Sequence, residues 1–288
     1  MASDEQLKER VDAAIEAAIR GRNLPAPLAD AMAYAALGPG KRTRPLLCLR
    51  SCEAVGGEAE AALAPAVAIE LVHAFSLVHD DLPAMDDDDL RRGRPTLHRH
   101  AGEALAILAG DALLSLAVET VSAPAPGSSL DPRLPGELAE ATTAMIAGQV
   151  LDTVGGFPEG VPEADRLESV HLQKTAALLR AACRMGAICG GASPQQLAAL
   201  GAFANGVGLC FQAVDDLLDV TADAQTLGKA TGKDADAGKL TYPGLYGVDG
   251  TRERVRRLSA AAVHALKPLG HPADRLAAMA EALAVRGS

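Results

Sequence analysis

Apolar and polar positions along this chain recur with a helical period, and clusters of Gly, Pro and Ser interrupt the runs. Ser3 or Asp4 caps a first predicted helix that ends at Gly21, and a second follows Pro25 and stops at Gly38-Pro39-Gly40. A third runs from Arg44-Pro45 to Gly56-Gly57. Residues 59–82 form a long apolar run, patterned as a helix buried on most sides. A charged, irregular stretch covers 83–100, after which helical patterning returns at 103–121, 137–154, 164–188, 194–220, 251–266 and 272–286. Alternating runs of β-branched residues are missing, so the pattern predicts an all-α bundle of about ten helices. The stretches at 123–136 and 155–163 read as surface connections between helices, and residues 1–288 are expected to form a single domain.

Composition narrows the function more than the fold. The formal charge of −10 argues against nucleic acid as a partner, because a polyanion wants a positive face. The five cysteines (Cys48, Cys52, Cys183, Cys189, Cys210) all lie in apolar helical patterns, as core thiols of a reducing compartment do. The N-terminus lacks the basic start and apolar core of a signal peptide. No run of about 18 apolar residues is free of charge, so no membrane span is expected. A soluble, cytoplasmic protein is the resulting expectation.

Two aspartate clusters carry the chemistry. The first is His79-Asp80-Asp81-Leu82-Pro83-Ala84-Met85-Asp86 with Asp87, Asp88 and Asp89; the second is Phe211-Gln212-Ala213-Val214-Asp215-Asp216-Leu217-Leu218-Asp219. Each ends an apolar helical run, where clustered carboxylates are costly unless a cation sits between them. Asp80 and Asp86 would point apart on an unbroken helix. Pro83 is expected to bend or end it, so that Asp86 folds back beside Asp80. Asp215 and Asp219 share a helical face without any bend. Converging carboxylates, waters and phosphate oxygens suit Mg²⁺, which prefers hard oxygen ligands.

Cations stand near these clusters. Lys41-Arg42-Thr43-Arg44 opens a helix where backbone N–H groups also favour an anion. Arg91 and Arg92 follow the first cluster, Lys174 and Thr175 lie within a predicted helix, and Lys229, Lys233 and Lys239 follow the second cluster. Gly228-Lys229-Ala230-Thr231-Gly232-Lys233-Asp234 is one spacer short of a P-loop and lacks its Ser/Thr.

In this order and spacing, the segments resemble the trans-isoprenyl diphosphate synthases, most closely the bacterial farnesyl diphosphate synthases. The resemblance covers nearly the whole length. Besides the two clusters it includes Gly40-Lys41-Arg42 with Arg44-Pro45, His73 to Ser76, Gly110-Asp111, Gly148-Gln149 with Asp152, Lys174-Thr175, Gly228-Lys229 and Gly238-Lys239. It implies an isoprenoid-synthase-type bundle around a central cavity, usually as a homodimer. It also implies Mg²⁺-assisted ionisation of an allylic diphosphate, followed by alkylation of isopentenyl diphosphate.

By carry-over, Asp80, Asp86 and Asp215, supported by Asp216 and Asp219 and with Asp81 nearby, hold three Mg²⁺ ions, for which Mn²⁺ is a possible substitute. Arg91, Lys174, Lys229 and Lys239 bind the allylic diphosphate. Lys41, Arg44, His73 and Arg92 bind isopentenyl diphosphate, with Thr175 and Gln212 as polar supports near the reacting carbons. Phe75 lies five residues before Asp80, about 7.5 Å deeper along a helix. The family's farnesyl-forming members have a bulky aromatic there, and Ser76 beside it is too small to block. The expected product is farnesyl diphosphate, with geranylgeranyl diphosphate as the alternative. Two other readings are weaker. A terpene cyclase would need more aromatic side chains than the 2% present. A non-catalytic partner subunit of a prenyl synthase would be expected to have lost one aspartate cluster.

Overall fold

The computed structural model describes residues 2–123, 131–221 and 239–285. Among these, helices dominate: α1 (Asp4–Arg20), α2 (Ala26–Ala36), α3 (Thr43–Ala54), α4 (Leu63–Asp80), α5 (Leu97–Ala101), α6 (Glu103–Ser122), α7 (Leu134–Thr153), α8 (Glu163–His171), α9 (Ala177–Cys189), α10 (Pro194–Thr221), α11 (Tyr242–Ala265) and α12 (Asp274–Val285). The all-α expectation holds. One small antiparallel pair, β1 (Leu90–Arg91) and β2 (Arg94–Pro95), lies inside the stretch read as irregular, with Leu90 opposite Pro95 and Arg91 opposite Arg94.

Local chemistry sets the boundaries. Ser3 caps α1 in a reciprocal box with Gln6. A 3₁₀ turn at Ala59–Ala62 precedes α4, so the long apolar run is two elements. The run read as one helix over 164–188 is split by a π-helical turn, Leu172–Ala176, between α8 and α9. Tyr242–Ala265 bends at Gly247, whose φ of 67° leaves the helical region.

The α4 helix runs through the centre, with Ala66, Ala68, Ile69, Leu71 and Val72 fully buried. It packs on α6 through small residues, Ala106, Ala109 and Gly110. The cysteines are free thiols, four of them buried, as the sequence implied.

Three segments, 59–80, 103–122 and 194–221, are long and apolar enough to cross a membrane by length and composition, with mean hydropathies of 1.8, 1.8 and 1.6. They qualify the expectation of no span on length and composition alone. Isolated charges such as Glu70 and Asp111 interrupt the runs without lowering their mean hydropathy far. In the fold, 67% of the apolar 18-residue stretch within the first and third segments is buried inside the protein, but only 39% of that within the second.

Candidate functional site

The first aspartate cluster forms as its sequence suggested. Helix α4 ends at Asp80, and the chain turns back so that the Asp86 amide donates to the Asp80 carbonyl at 2.8 Å. Asp87 takes a left-handed φ of 49° in this turn. Burial pushes the Asp80 carboxyl up to about 6; Lys174 and Arg91 oppose the shift, and Asp86 and Asp81 add to it. Asp81 points elsewhere. It is 3% exposed and accepts from Arg91 Nε through both oxygens, at 2.8 and 3.0 Å.

The second cluster lies on α10. Asp215 is exposed, Asp219 half-buried and Asp216 4% exposed. Asp216 accepts from Gln212 Nε2 and from the Tyr242 amide, both at 2.9 Å, and so joins α10 to the start of α11. These bonds show what the sequence did not: Asp81 and Asp216 are each tied to neighbouring groups.

Between the clusters lies the π turn. Its Thr175 hydroxyl donates to Gln212 Oε1 at 3.2 Å, which links it to the second cluster, while the charge of Lys174 acts on Asp80 in the first. Lys174 and Lys239 both pair with Asp152 of α7, at 2.6 and 3.3 Å. Although burial opposes it, the two ammonium groups hold Asp152 below the usual carboxylate range. Close backbone contacts brace the turn on both sides. A Cβ on Gly148 of α7 would stand 2.2 Å from the Lys174 amide nitrogen, and one on Gly208 of α10 would stand 2.4 Å from Ala176 Cβ.

A separate basic cluster surrounds His73. Arg42, at the N-cap of α3, has a φ of 50° and no side-chain cap bond. It is 4% exposed and donates to Asp12 at 2.6 Å, to Glu70 at 3.1 Å and to the Gly38 carbonyl at 3.1 Å. Arg92 also has a positive φ, 53°, and donates to the Pro39 carbonyl at 2.7 Å. Arg44 Nε is buried without a hydrogen-bond partner among the described residues. Burial and the surrounding guanidinium groups push the His73 imidazole well below its ordinary range and keep it neutral. Two left-handed arginines and crowded like charges are strain of the kind found at ligand sites.

Lys41 is exposed just before α3. Phe75 is buried and meets His79 edge-on at 5.0 Å, while Ser76 donates to the His73 carbonyl at 2.9 Å. Lys229 and Lys233 lie outside the described residues. Sequence reasoning missed Glu70 and gave no individual role to Arg42, Asp152 or Gln149, although it quoted their motifs. The last is one turn before Asp152, with both amide atoms buried and unpartnered among the described residues. The signals were present: Glu70 inside an apolar helix, and the Gly148-Gln149 pair before Asp152. Among the described residues, no group of three or more His, Cys, Asp or Glu side chains forms a ready metal cage.

Comparison with known proteins places this geometry. The polyprenyl synthetase family profile matches residues 25–267, and the chain belongs to that family. It is 46% identical over 276 residues to the heterodimeric geranylgeranyl pyrophosphate synthase large subunit 1, chloroplastic, of Arabidopsis thaliana, covering 93% of this chain and 74% of that protein. It is also 46% identical over 288 residues to geranylgeranyl pyrophosphate synthase 11, chloroplastic, of the same plant, covering 96% and 80%. The crystal structure of an FPP/GFPP synthase from Zymomonas mobilis superposes with a TM-score of 0.82 at 35% identity, covering 98% and 97% of the two chains. The plant relatives are named as chloroplastic, which overturns the cytoplasmic expectation.

His171, at the end of α8, gives a pH prediction. It is buried and stacked on Tyr242 at 5.3 Å, and burial lowers its pKa to about 4. Unfolded, it titrates near the ordinary 6.5, so between the two values the unfolded chain binds more protons. Stability is therefore lost as pH falls from about 6.5 toward 4, by on the order of 2 kcal/mol from this group. Denaturant melts at pH 7, 5.5 and 4.5 should show a shallower loss in His171→Phe; an unchanged slope would contradict the assignment.

Proposed function

We propose that this member of the polyprenyl synthetase family joins isopentenyl diphosphate to an allylic diphosphate, within one catalytic domain spanning residues 1–288. The observation that carries the reading is the linkage of both aspartate clusters through Lys174 and Thr175, with a second, separate basic cluster at His73. Two anionic substrates need two basic sites, and only the allylic one needs carboxylates to bring in cations.

Arg91, Lys174, Lys229 and Lys239 would bind the allylic diphosphate, with Asp152 gathering two of the lysines. Lys41, Arg44, His73 and Arg92 would bind isopentenyl diphosphate. The Arg44 Nε and Gln149 amide, buried and without hydrogen-bond partners among the described residues, suit oxygen-rich ligands. Asp80, Asp86, Asp215 and Asp219 would hold Mg²⁺, or Mn²⁺ in its place. The raised pKa of Asp80 marks a carboxylate that an added cation would relieve. Mg²⁺ completes its shell with water and substrate oxygens, so a protein-only cage is not required.

Mg²⁺ held by these carboxylates would supply positive charge to offset the negative charge developing on a leaving diphosphate. Lys174 and Arg91 add fixed positive charge beside it. Neutral His73 can donate a hydrogen bond without adding a further charge. Thr175 and Gln212, held by Asp216, present polar atoms near the reacting carbons. No side chain is assigned as base, because the departing diphosphate accepts the proton. Apolar helices around the site keep out water that would quench a carbocation.

Geranylgeranyl diphosphate is the better-supported product, since the curated relatives are named for it. This revises the farnesyl expectation. That product stays as a second reading because Phe75 is buried on α4 and edge-on to His79. A second copy of the chain is the proposed partner. Support comes from large apolar side chains left exposed on α6 (Ile107, Leu108, Val118) and α7 (Ile146, Val150). With both aspartate clusters present, the non-catalytic subunit reading is set aside.

Two tests follow. Asp80→Ala and Asp215→Ala should each lower turnover by roughly two orders of magnitude or more while far-ultraviolet circular dichroism stays unchanged. Near-normal turnover in either would sink the metal assignment. For product length, the wild-type protein should yield mainly the twenty-carbon diphosphate, and Phe75→Ala should leave that length unchanged. A fifteen-carbon product that lengthens in Phe75→Ala would install the second reading with Phe75 as the floor.

A further inference from the structure

Arg91 and Arg92 are presented by a very small scaffold. The pair β1–β2 has two residues per strand, and its turn, Arg92-Gly93, has φ values of 53° and 75°. A lone two-stranded hairpin is marginal in water even when much longer. Its geometry must come from tethers to the rest of the protein.

Those tethers are unevenly distributed. Arg91 is fixed by its two-oxygen pairing with buried Asp81. Arg92 is held, among the described residues, by one side-chain hydrogen bond, to the Pro39 carbonyl. The returning strand is held from the side by Tyr34 of α2. The Tyr34 hydroxyl donates to the Pro95 carbonyl at 2.8 Å. The Arg94 guanidinium lies over its ring, 4.1 Å from the centroid. His100 of α5 stacks on the same ring at 4.0 Å, nearly parallel at 7°. One side chain thus fastens β2 twice and the following helix once, through a hydrogen bond and ring contacts that are each modest alone.

The geometry points to Tyr34 as a positioning residue for Arg92, and through it for the isopentenyl diphosphate site. Tyr34 shares a cavity wall with Arg91 and Arg92, and its role in this inference runs through the hairpin it fastens. It holds the hairpin at the height where Arg92 reaches Pro39 and the His73 cluster. Arg91 has its own anchor in Asp81, so loosening Tyr34 acts on the isopentenyl site more than on the allylic site. The inference rests on the proposed assignment of Arg92 to isopentenyl diphosphate and adds a residue that acts by positioning Arg92.

Steady-state kinetics on the full-length protein with both substrates tests it, comparing Tyr34→Ala, Tyr34→Phe, Arg94→Ala and Arg92→Ala. Tyr34→Ala should raise KM for isopentenyl diphosphate roughly tenfold while changing KM for the allylic diphosphate less than about twofold. Tyr34→Phe keeps the ring contacts and loses the Pro95 bond; Arg94→Ala removes the guanidinium from the ring while leaving the Pro95 bond and the His100 stack. Each should fall between Tyr34→Ala and wild type in the same order of substrates. Equal rises in both KM values, or a loss confined to kcat, would overturn the positioning role. If Arg92→Ala leaves the isopentenyl KM unchanged, the substrate assignment itself fails, and this inference with it. Should Tyr34→Ala fold poorly, Tyr34→Phe and Arg94→Ala still decide the asymmetry.

Discussion

Like charge gathered at the ends of apolar helices is the constraint on which this structure depends. Asp80, Asp81 and Asp86 meet where α4 ends, and Arg42, Arg44 and Arg92 crowd around His73. Neither group is stable by itself, because burial and like-charge repulsion both disfavour ionisation. The fold answers part of each charge internally. Arg91 is paired with Asp81, Glu70 and Asp12 take Arg42, and Asp152 collects Lys174 and Lys239. What these pairings leave under-compensated, chiefly Asp80 and an Arg44 Nε without a partner among the described residues, marks where cations and diphosphates would add most.

The scaffold serves that arrangement at one narrow place. The π turn at Leu172–Ala176 shifts the register of what would have been one helix, so Lys174 and Thr175 lie between the two clusters. Gly148 and Gly208 let α7 and α10 close on this turn from both sides. Packing of that density leaves Lys174 little freedom. A preformed positive group is more useful to a developing anion than one that must reorganise.

Much of this was legible in the sequence, and the exceptions have physical reasons. Helical periodicity placed most elements to within a few residues, though α11 begins at Tyr242 rather than 251 and α5 was not foreseen, and Pro83 announced the fold-back that brings Asp86 to Asp80. The π turn was not legible, because one extra residue in a turn leaves the apolar pattern of 164–188 nearly intact. The hairpin at 90–95 escaped because its strands are too short to alternate, although Arg92-Gly93 is a left-handed turn in hindsight. Asp81 and Asp216 were read with their neighbours as one acidic set. Their actual partners, Arg91 and the Tyr242 amide, depend on tertiary contacts that spacing does not encode. The farnesyl expectation rested on one aromatic, Phe75, which packing in a core explains equally well, whereas the plant relatives are named for geranylgeranyl pyrophosphate.

Turnover itself tests the central claim most directly. Purified protein would be incubated with Mg²⁺, isopentenyl diphosphate and dimethylallyl diphosphate, and released pyrophosphate measured against isopentenyl diphosphate consumed. The account predicts one pyrophosphate per isopentenyl unit, requiring both substrates and abolished by chelating the metal. Tight binding of both diphosphates with no pyrophosphate released would contradict it.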